Sequence, residues 1–191
     1  MPGNGNNQDE LNRMSPAASH AQLGTLLVQL IAGYNVLVAR ANSLVLTKAG
    51  LAIKAGSSAI VKAVSSFAAV ASGVIVRKAV NTDMAALVGT LATAKSAAWA
   101  FYIDSAGTLT TSAKTADLNT HALAIAALPT TPLDKALIGW IVVDNATGSN
   151  FVGGTTALDT GSLTVTYYDS VGMPPGLSAN GAVSLGDINS R

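Results

Sequence analysis

Apolar residues recur with a helical period in the first quarter of the chain. Seven of them alternate between spacings of four and three residues: Leu23, Leu27, Leu30, Tyr34, Leu37, Ala41 and Leu44. This heptad spacing is the seam of a coiled coil. Further apolar residues make the stripe wider than a two-stranded seam: Leu26, Ile31, Val38 and Val45. Ser19 and Gln22 have the spacing of a capping box, so the sequence predicts a helix over residues 19–46.

The apolar stripe of this helix needs a partner, and the sequence leaves two partners open. In one interpretation the helix packs against symmetry-related copies of itself, as a trimer. In the other it lies on the β domain of its own chain. Gly24 and Gly33 each lower helix stability by about 1 kcal/mol, so the helix depends on packing in both cases. Residues 23–39 contain polar interruptions and fall short of the ~20 apolar residues that cross a membrane, which argues against a transmembrane span.

From residue 47 the helical period gives way to short β-favouring runs that small polar residues separate. These runs predict strands over residues 51–54, 59–64, 67–71 and 74–80. Their separation is close to the roughly 8 to 12 residues typical of sandwiches and barrels. A hairpin is predicted over residues 95–111, in which Trp99, Phe101 and Ile103 share one face. Residues 119–128 suit either a short helix or a buried strand.

Two further strands are predicted near the end of the β region. Residues 137–143 are almost continuously apolar, as in a buried strand. Residues 163–168 alternate between apolar and polar, with Leu163, Val165 and Tyr167 on one face. The sequence therefore predicts a mainly β domain over residues 47–170, folded as an antiparallel β-sandwich or a barrel-like structure.

Both ends of the chain have a composition that differs from the rest. Residues 1–18 are polar and rich in Gly and Asn, and residues 171–191 are rich in Gly and Pro. Such segments cannot bury a core of their own. They are predicted to be extended terminal arms that need a partner to become ordered. No basic region followed by an apolar one opens the chain, so no secretory signal is expected.

The chain carries few charges. Charged residues make up 11% of it and hydrophobic residues 49%, whereas ordinary soluble domains are roughly 25% charged. So little charge favours burial in an assembly over a freely dispersed enzyme. The net charge of +1 argues against a nucleic-acid partner that is bound through its phosphates. Residues 1–100 carry +5 and residues 101–191 carry −4, which either orients the chain on an acidic surface or only aids its solubility.

The sequence contains no grouping of residues with catalytic or metal-binding spacing. There is no Cys, and neither His20 nor His121 belongs to a metal-binding motif. His121 is predicted to have a structural role. Asp144, Asp159 and Asp169 lie beside turn residues and are predicted to accept from local N–H groups. The sequence therefore predicts no catalytic residue, no cofactor, no metal and no enzymatic activity.

The residues predicted to pack, within the core or between subunits, are large and apolar. On the helix they are the seam residues Leu23, Leu27, Leu30, Tyr34, Leu37 and Leu44. In the β domain they are Trp99, Trp140 and Tyr167. Lys and Arg are not interleaved with these aromatic residues, as they are on surfaces that stack nucleic-acid bases.

Four segments of the β region carry a family resemblance: residues 85–90 (AALVGT), 101–109 (FYIDSAGTL), 138–143 (IGWIVV) and 150–159 (NFVGGTTALD). Together they resemble a group of tailed-bacteriophage and prophage virion structural proteins over residues 50–170. The last segment is the most specific of the four. The resemblance implies capsid decoration (cement) or a head fibre, with a helix before the β domain, and it brings no catalytic residues.

Three functions are weighed on this basis. The expected one is a capsid decoration protein, assembled in the host cytoplasm and placed on the exterior of the virion, where a homotrimer bridges subunits of the major capsid protein. The alternative is a head-fibre, spike or tail-associated protein that contacts the host through an exposed loop such as residues 144–150. A virion hydrolase would need clustered carboxylates, and Glu10 is the only glutamate. Neither nucleic acid nor a membrane is expected as a partner.

Overall fold

The structure, a computed structural model, describes residues 16–172, except for the side chains of residues 16–19, 36, 39 and 40. Most of both predicted arms, residues 1–15 and 173–191, lies outside the described residues. The chain divides into two compact units, residues 1–38 and residues 39–191.

The first described element is the helix α1 (Pro16–Ala41). Proline suits the first turn of a helix because its missing N–H would have no partner there, and its ring already fixes a helical φ. The predicted start at Ser19 is wrong, because Ser19 lies inside the helix, one turn after the proline.

The prediction of a longer helix is also wrong at its C-terminal end. Leu44 and Val45 form strand β1, which pairs antiparallel with residues 69–70. Just before this strand, the Ser43 hydroxyl donates to the carbonyl of Leu133 at 3.1 Å. Leu44 therefore does not belong to the helical seam, because backbone pairing with a later strand replaces the helical hydrogen bonds.

Eleven more strands and one short helix follow in the described part of the chain. They are β2 (Leu51–Ile53), β3 (Val61–Ala63), β4 (Phe67–Ala71), β5 (Val74–Lys78), β6 (Thr82–Asp83), β7 (Thr90–Leu91), β8 (Lys95–Ile103), β9 (Leu109–Thr111), α2 (His121–Ala126), β10 (Ala136–Asn145), β11 (Phe151–Val152) and β12 (Leu163–Asp169). The mainly β, antiparallel fold is confirmed. The predicted strand over residues 67–71 coincides with β4, and the other predicted strands overlap described ones.

The strands form four antiparallel sheets with a sandwich-like arrangement. Their orders are β12-β10-β8-β9, β1-β4-β5, β2-β3-β6 and β11-β7. The first sheet is central, and in it Trp140 of β10 lies opposite Ala100 of β8 and Tyr168 of β12. The register shifts between Leu137 and Gly139, where β10 has a bulge against β8.

The two faces of the central sheet carry two separate hydrophobic clusters. Trp99, Phe101 and Ile141 point into the main core, which the smaller sheets also line. Ala98 and Ala100 point the other way and pack with α2. Because both faces are covered, β8 is buried along nearly its whole length, which explains why its sequence is apolar at successive positions rather than at alternate ones.

The short helix α2 settles the alternative left open for residues 119–128. Thr120 caps it, since the Thr120 hydroxyl accepts from the N–H of Leu123. Ala124 is buried against the alanines of β8, and these small side chains let the helix approach the sheet closely. Helix rather than strand forms here because both edges of the neighbouring strand β8 are already paired, by β10 and β9.

The prediction of local turn capping is wrong for all three aspartates, Asp144, Asp159 and Asp169. The Asp144 carboxylate binds the side chain of His121. The Asp169 carboxylate accepts from the N–H groups of Gly50 and Leu51, at 2.7 and 3.2 Å. Asp159 accepts from the N–H of Ser57 at 2.8 Å. All three bonds from backbone N–H groups join segments more than 100 residues apart in the sequence. The carboxylates of Asp159 and Asp169 therefore hold the first strands of the β domain to its last ones.

Asp104 is the aspartate that does cap its own turn. Its carboxylate accepts from the N–H groups of Thr108 and Ala106, at 2.8 and 3.0 Å. The hydrogen bond from Thr108, followed by that from Ala106, stabilises the ionised form and lowers the pKa of Asp104. This turn closes the predicted hairpin between β8 and β9.

Candidate functional site

The most conspicuous surface of the first unit is the apolar face of α1. Eight large apolar side chains of this helix are each more than half exposed: Leu23, Leu26, Leu27, Val28, Leu30, Ile31, Tyr34 and Leu37. Residues 14–39 contain no Asp, Glu, Lys or Arg. Contiguous apolar surface without charge is rare on monomeric proteins and marks interaction sites. We refer to these eight residues as the α1 apolar face.

Three uncharged polar residues share one side of α1. With 3.6 residues per turn, Gln22, Thr25 and Gln29 lie together on the side opposite Leu23 and Tyr34. The Thr25 hydroxyl donates to the Ala21 carbonyl within the helix, at 3.0 Å, so it needs no outside partner. The helix is therefore amphipathic, with an uncharged polar stripe opposite a wide apolar one.

The most connected polar cluster of the β domain is centred on His121. Its Nδ1 lies 2.7 Å from a carboxylate oxygen of Asp144, and its Nε2 lies 2.9 Å from the hydroxyl of Tyr168. Because a carboxylate can only accept, Nδ1–H donates to Asp144, and in the neutral imidazole Nε2 accepts from the Tyr168 hydroxyl. The Trp140 ring is stacked on Tyr168, with centroids 5.2 Å apart.

This cluster joins three elements of the second unit. His121 begins α2, Asp144 is in β10 and Tyr168 is in β12. All three side chains are partly buried, and both imidazole nitrogens have partners. The arrangement places an imidazole between a carboxylate and a hydroxyl, as in a triad, but the hydroxyl belongs to a tyrosine in place of a serine or threonine. What the geometry does directly is fasten α2 to the sheet.

A small cleft lies beside Asp144. It has a volume of about 200 Å³, and Lys95, Ser96 and Asn119 are among its lining residues. The Lys95 ammonium donates to the Asn119 side-chain oxygen at 2.5 Å. The cleft therefore presents a cation that is already hydrogen-bonded, next to the carboxylate that orients His121.

The aromatic residues that the sequence singled out occupy different environments. Trp99 is fully buried, its Nε1–H donates to the Val88 carbonyl at 3.0 Å, and Phe151 packs edge-on against it. Trp99 is thus a residue of the chain's own core and not of a subunit contact. Tyr167 is half-buried against the same core, whereas Trp140 is half-buried on the α2 side of the sheet.

Tyr102 is a buried polar residue that sequence reasoning missed. Its side chain is buried on the α2 side of β8, and its hydroxyl has no hydrogen-bond partner among the described residues. Burial raises the pKa of Tyr102 to about 12. A continuous apolar run conceals such a residue, because the pattern reports that a strand is buried and not whether a hydroxyl finds a partner.

Within residues 16–172, no three side chains of the metal-ligating types His, Asp and Glu come together in a group that could hold an ion. No helix in the same part of the chain is long and apolar enough to cross a membrane.

Comparison of the chain with protein-family models, with curated proteins and with solved structures finds no match. The resemblance to virion structural proteins over residues 50–170 therefore stays a prediction from the sequence.

Proposed function

We propose that this protein is a non-enzymatic structural component of a tailed-phage virion. Its role is capsid decoration: it lies on the exterior of the head and stabilises it by bridging subunits of the major capsid protein. The observation that carries the proposal is the α1 apolar face, which has no charged residue along residues 14–39. Apolar surface of this extent is unfavourable in water and is stabilised when a partner covers it, as happens in a permanent assembly.

The β domain supports the same proposal through a smaller exposed surface. Val74 and Ile75 of β5 and the nearby Val80 are about half exposed or more. A contact made by three such side chains is weak by itself. Repeated over a symmetric shell, weak contacts add up through their high effective concentration, which suits a protein that stabilises a shell from outside.

The segment that most resembles virion proteins is built into the fold. Phe151 is buried and packs on Trp99, and a Cβ added at Gly153 would lie 2.9 Å from the backbone of Leu87. The glycine therefore permits a close approach of two chain segments. Residues 150–159 thus support the proposal as architecture of a shared β module, and they are not proposed to contact the capsid.

Binding to empty shells of the major capsid protein tests the function. We expect the purified chain to saturate the shells with a fixed stoichiometry and to raise their melting temperature. Ile75→Asp should weaken binding at least tenfold, because it places a charge in the β5 contact. Val88→Asp is the matched control, since Val88 is equally exposed at a different place. Absence of binding by the wild-type chain would refute the decoration role.

The N-terminal arm provides a second test of the same role. Deleting residues 1–15, which precede α1, should weaken shell binding, because the arm is proposed to lie across adjacent capsid subunits. A truncated protein that decorates empty shells equally well would remove the arm from the proposal.

A head-fibre, spike or tail-associated protein is the alternative proposal. The predicted loop of residues 144–150 is wrong at its start, because Asp144 and Asn145 belong to β10 and Asn145 is buried. Residues 146–150, between β10 and β11, are exposed and would serve as a surface for host recognition. The number of copies in each particle separates the two roles. Hundreds of copies would indicate decoration, and tens or fewer would indicate a fibre or a tail component.

A further inference from the structure

We infer that α1 forms a parallel three-helix bundle with the α1 helices of two further copies of this chain. The inference rests on the proposed function, in which α1 is buried in an assembly, and it names the partner that buries it. The occupant of the α1 apolar face is thus the same face of a second and a third copy.

The spacing of the apolar residues makes the face complementary to itself. Five of them, Leu23, Leu27, Leu30, Tyr34 and Leu37, lie within α1 at alternating intervals of four and three. This period of 3.5 residues keeps one face of each helix turned towards its neighbours along the whole bundle. In parallel copies the same residues meet in the same layer, so large side chains always face large side chains.

The width of the face indicates three helices and not two. At 100° per residue, the side chains of the α1 apolar face, with Leu26 at one edge and Val28 at the other, span an arc of roughly 200° around the axis. A two-stranded seam uses a narrower stripe, which consists of the two heptad positions alone. In a three-helix bundle each helix contacts two neighbours, so a wide arc is covered and the polar stripe of Gln22, Thr25 and Gln29 stays outside.

The surface area that neighbouring helices can cover also favours a bundle of three helices. A helix of 26 residues is about 39 Å long and about 10 Å wide, so its surface is on the order of 1,200 Å². Covering a third of it with each of two neighbours buries roughly 800 Å² per copy, which is what a stable interface needs. A single neighbour would bury about half as much. A third helix therefore doubles the apolar area that each copy buries.

The lack of charge permits identical copies to pack in parallel. Rotational symmetry of order three places the same residue of each copy side by side around the axis. A charged residue on that face would then meet two like charges. Between residues 14 and 39 no such residue occurs, so no position on the face opposes this arrangement.

Measurement of the oligomeric state of the full chain tests the inference. Light scattering after size exclusion should give a mass three times the 19.1 kDa of the chain. Leu30→Glu, at the centre of the face, should raise the concentration at which the trimer dissociates at least 100-fold. Gln29→Glu introduces the same charge one position away, on the polar stripe, and should leave the trimer intact.

Several outcomes would overturn the inference. They are a monomeric or dimeric wild-type chain, an intact trimer with Leu30→Glu, and equal disruption by Gln29→Glu. Near-ultraviolet circular dichroism, which reports the buried Trp99, shows in the same samples whether the β domain of each variant is folded.

Cysteine cross-linking tests the parallel orientation, since the chain has no Cys of its own. In Leu23→Cys, the new thiols of parallel copies lie in one layer, and mild oxidation should link two of the three copies covalently. Thr25→Cys, on the polar stripe, should give at most a tenth of that product. If the helices are antiparallel or unpaired, oxidation should cross-link Leu23→Cys no more than Thr25→Cys.

Shell binding distinguishes this inference from the proposed function. A wild-type trimer that does not bind capsid shells would refute the decoration role and leave the helix bundle standing. A wild-type monomer that saturates the shells would refute the bundle and leave the decoration role standing.

Discussion

At the scale of single residues, the tightest position in the central sheet is Gly139. It follows the bulge in β10 and lies opposite Asp169 of β12. A Cβ at this position would overlap the carbonyl oxygen of Tyr168 and lie 2.8 Å from the Leu51 side chain. Because backbone forms the nearest contact, rotation of a side chain cannot make room. The sequence offered no sign of this, since a glycine within an apolar run does not reveal what approaches it.

Gly139→Ala is therefore expected to lower the free energy of unfolding by about 2 to 3 kcal/mol, the usual effect of overpacking a rigid site. Urea denaturation followed by tryptophan fluorescence measures the change. Gly161→Ala is the control, because nothing lies within 4 Å of a Cβ there, and it should change stability by less than about 0.5 kcal/mol. Equal effects of the two substitutions would contradict the close approach at Gly139.

Tyr102 leads to a prediction of the opposite sign. Its buried hydroxyl lacks a partner among the described residues, and such a group costs about 1 kcal/mol or more relative to the solvated state. Tyr102→Phe is therefore expected to raise the free energy of unfolding by about 1 kcal/mol at pH 7. A loss of stability on this substitution would show that the hydroxyl has a partner.

The pH dependence of Tyr102 follows from its pKa of about 12 in the folded state, against 10.0 for an ordinary tyrosine. Because folding raises this pKa, the wild type keeps its full stability below pH 10, where Tyr102 is protonated in both states. Above pH 10 the unfolded state loses the proton first, so the free energy of unfolding falls as the pH rises towards 12. The stability advantage of Tyr102→Phe over the wild type should therefore grow between pH 10 and 12. If the melting temperatures of the wild type and of Tyr102→Phe changed by the same amount across this range, the raised pKa of Tyr102 would be contradicted.

At the scale of elements, α2 depends on the contacts that hold it to the sheet. A helix of six residues is too short to be stable alone. Thr120 caps it, Ala124 packs on β8, and His121 reaches both Asp144 and Tyr168. The His121 link is the only one of these contacts that ties α2 to the edge strand β12 within the described residues.

Removal of this link should loosen α2. His121→Ala is expected to lower the free energy of unfolding by about 2 kcal/mol, and Tyr168→Phe by about 1 kcal/mol, since each hydrogen bond contributes about 1 kcal/mol. A double-mutant cycle should give a coupling energy of about 1 kcal/mol between them. Leu123→Ala, on the exposed side of the same helix, is the control. Additive effects of the two substitutions would contradict a direct bond.

Elements were predictable where local pattern decides them. Strand β4 and the hairpin of β8 and β9 follow from short-range signals, namely alternating side chains and a turn that Asp104 caps. The end of α1 was not predictable, because Leu44 continues the helical spacing yet pairs with Val70. His121 was assigned a structural role, but its partners lie 23 and 47 residues away and no spacing rule connects them.

At the scale of the whole molecule, the chain consists of two units that differ in how much of their side-chain surface is buried. Every residue that is buried in the described structure lies at position 43 or later, within the unit of residues 39–191. In the unit of residues 1–38, the described side chains, those of residues 20–35, 37 and 38, are all exposed. The second unit thus contains its own core, whereas the first buries none of its described side chains.

A fragment of residues 42–191 should therefore fold without α1. We expect its thermal unfolding to stay cooperative, with a midpoint within about 3 °C of that of the β domain in the full chain, because no core residue is removed. It should also be monomeric, whereas the full chain should be trimeric. An unfolded fragment would show that α1 contributes to the core, and a trimeric fragment would place the self-association in the β domain.

The sequence by itself determined the class of fold, the positions of most strands, the amphipathic α1 and the low charge of the chain. These depend on period and composition, which are properties of neighbouring residues. The tertiary structure alone decided where α1 ends, that Asp159 and Asp169 bind distant backbone, that Trp99 is internal, and that His121 meets Asp144 and Tyr168. Each of those depends on which distant segments pair, and pairing is set by the free energy of the whole fold rather than by any local window.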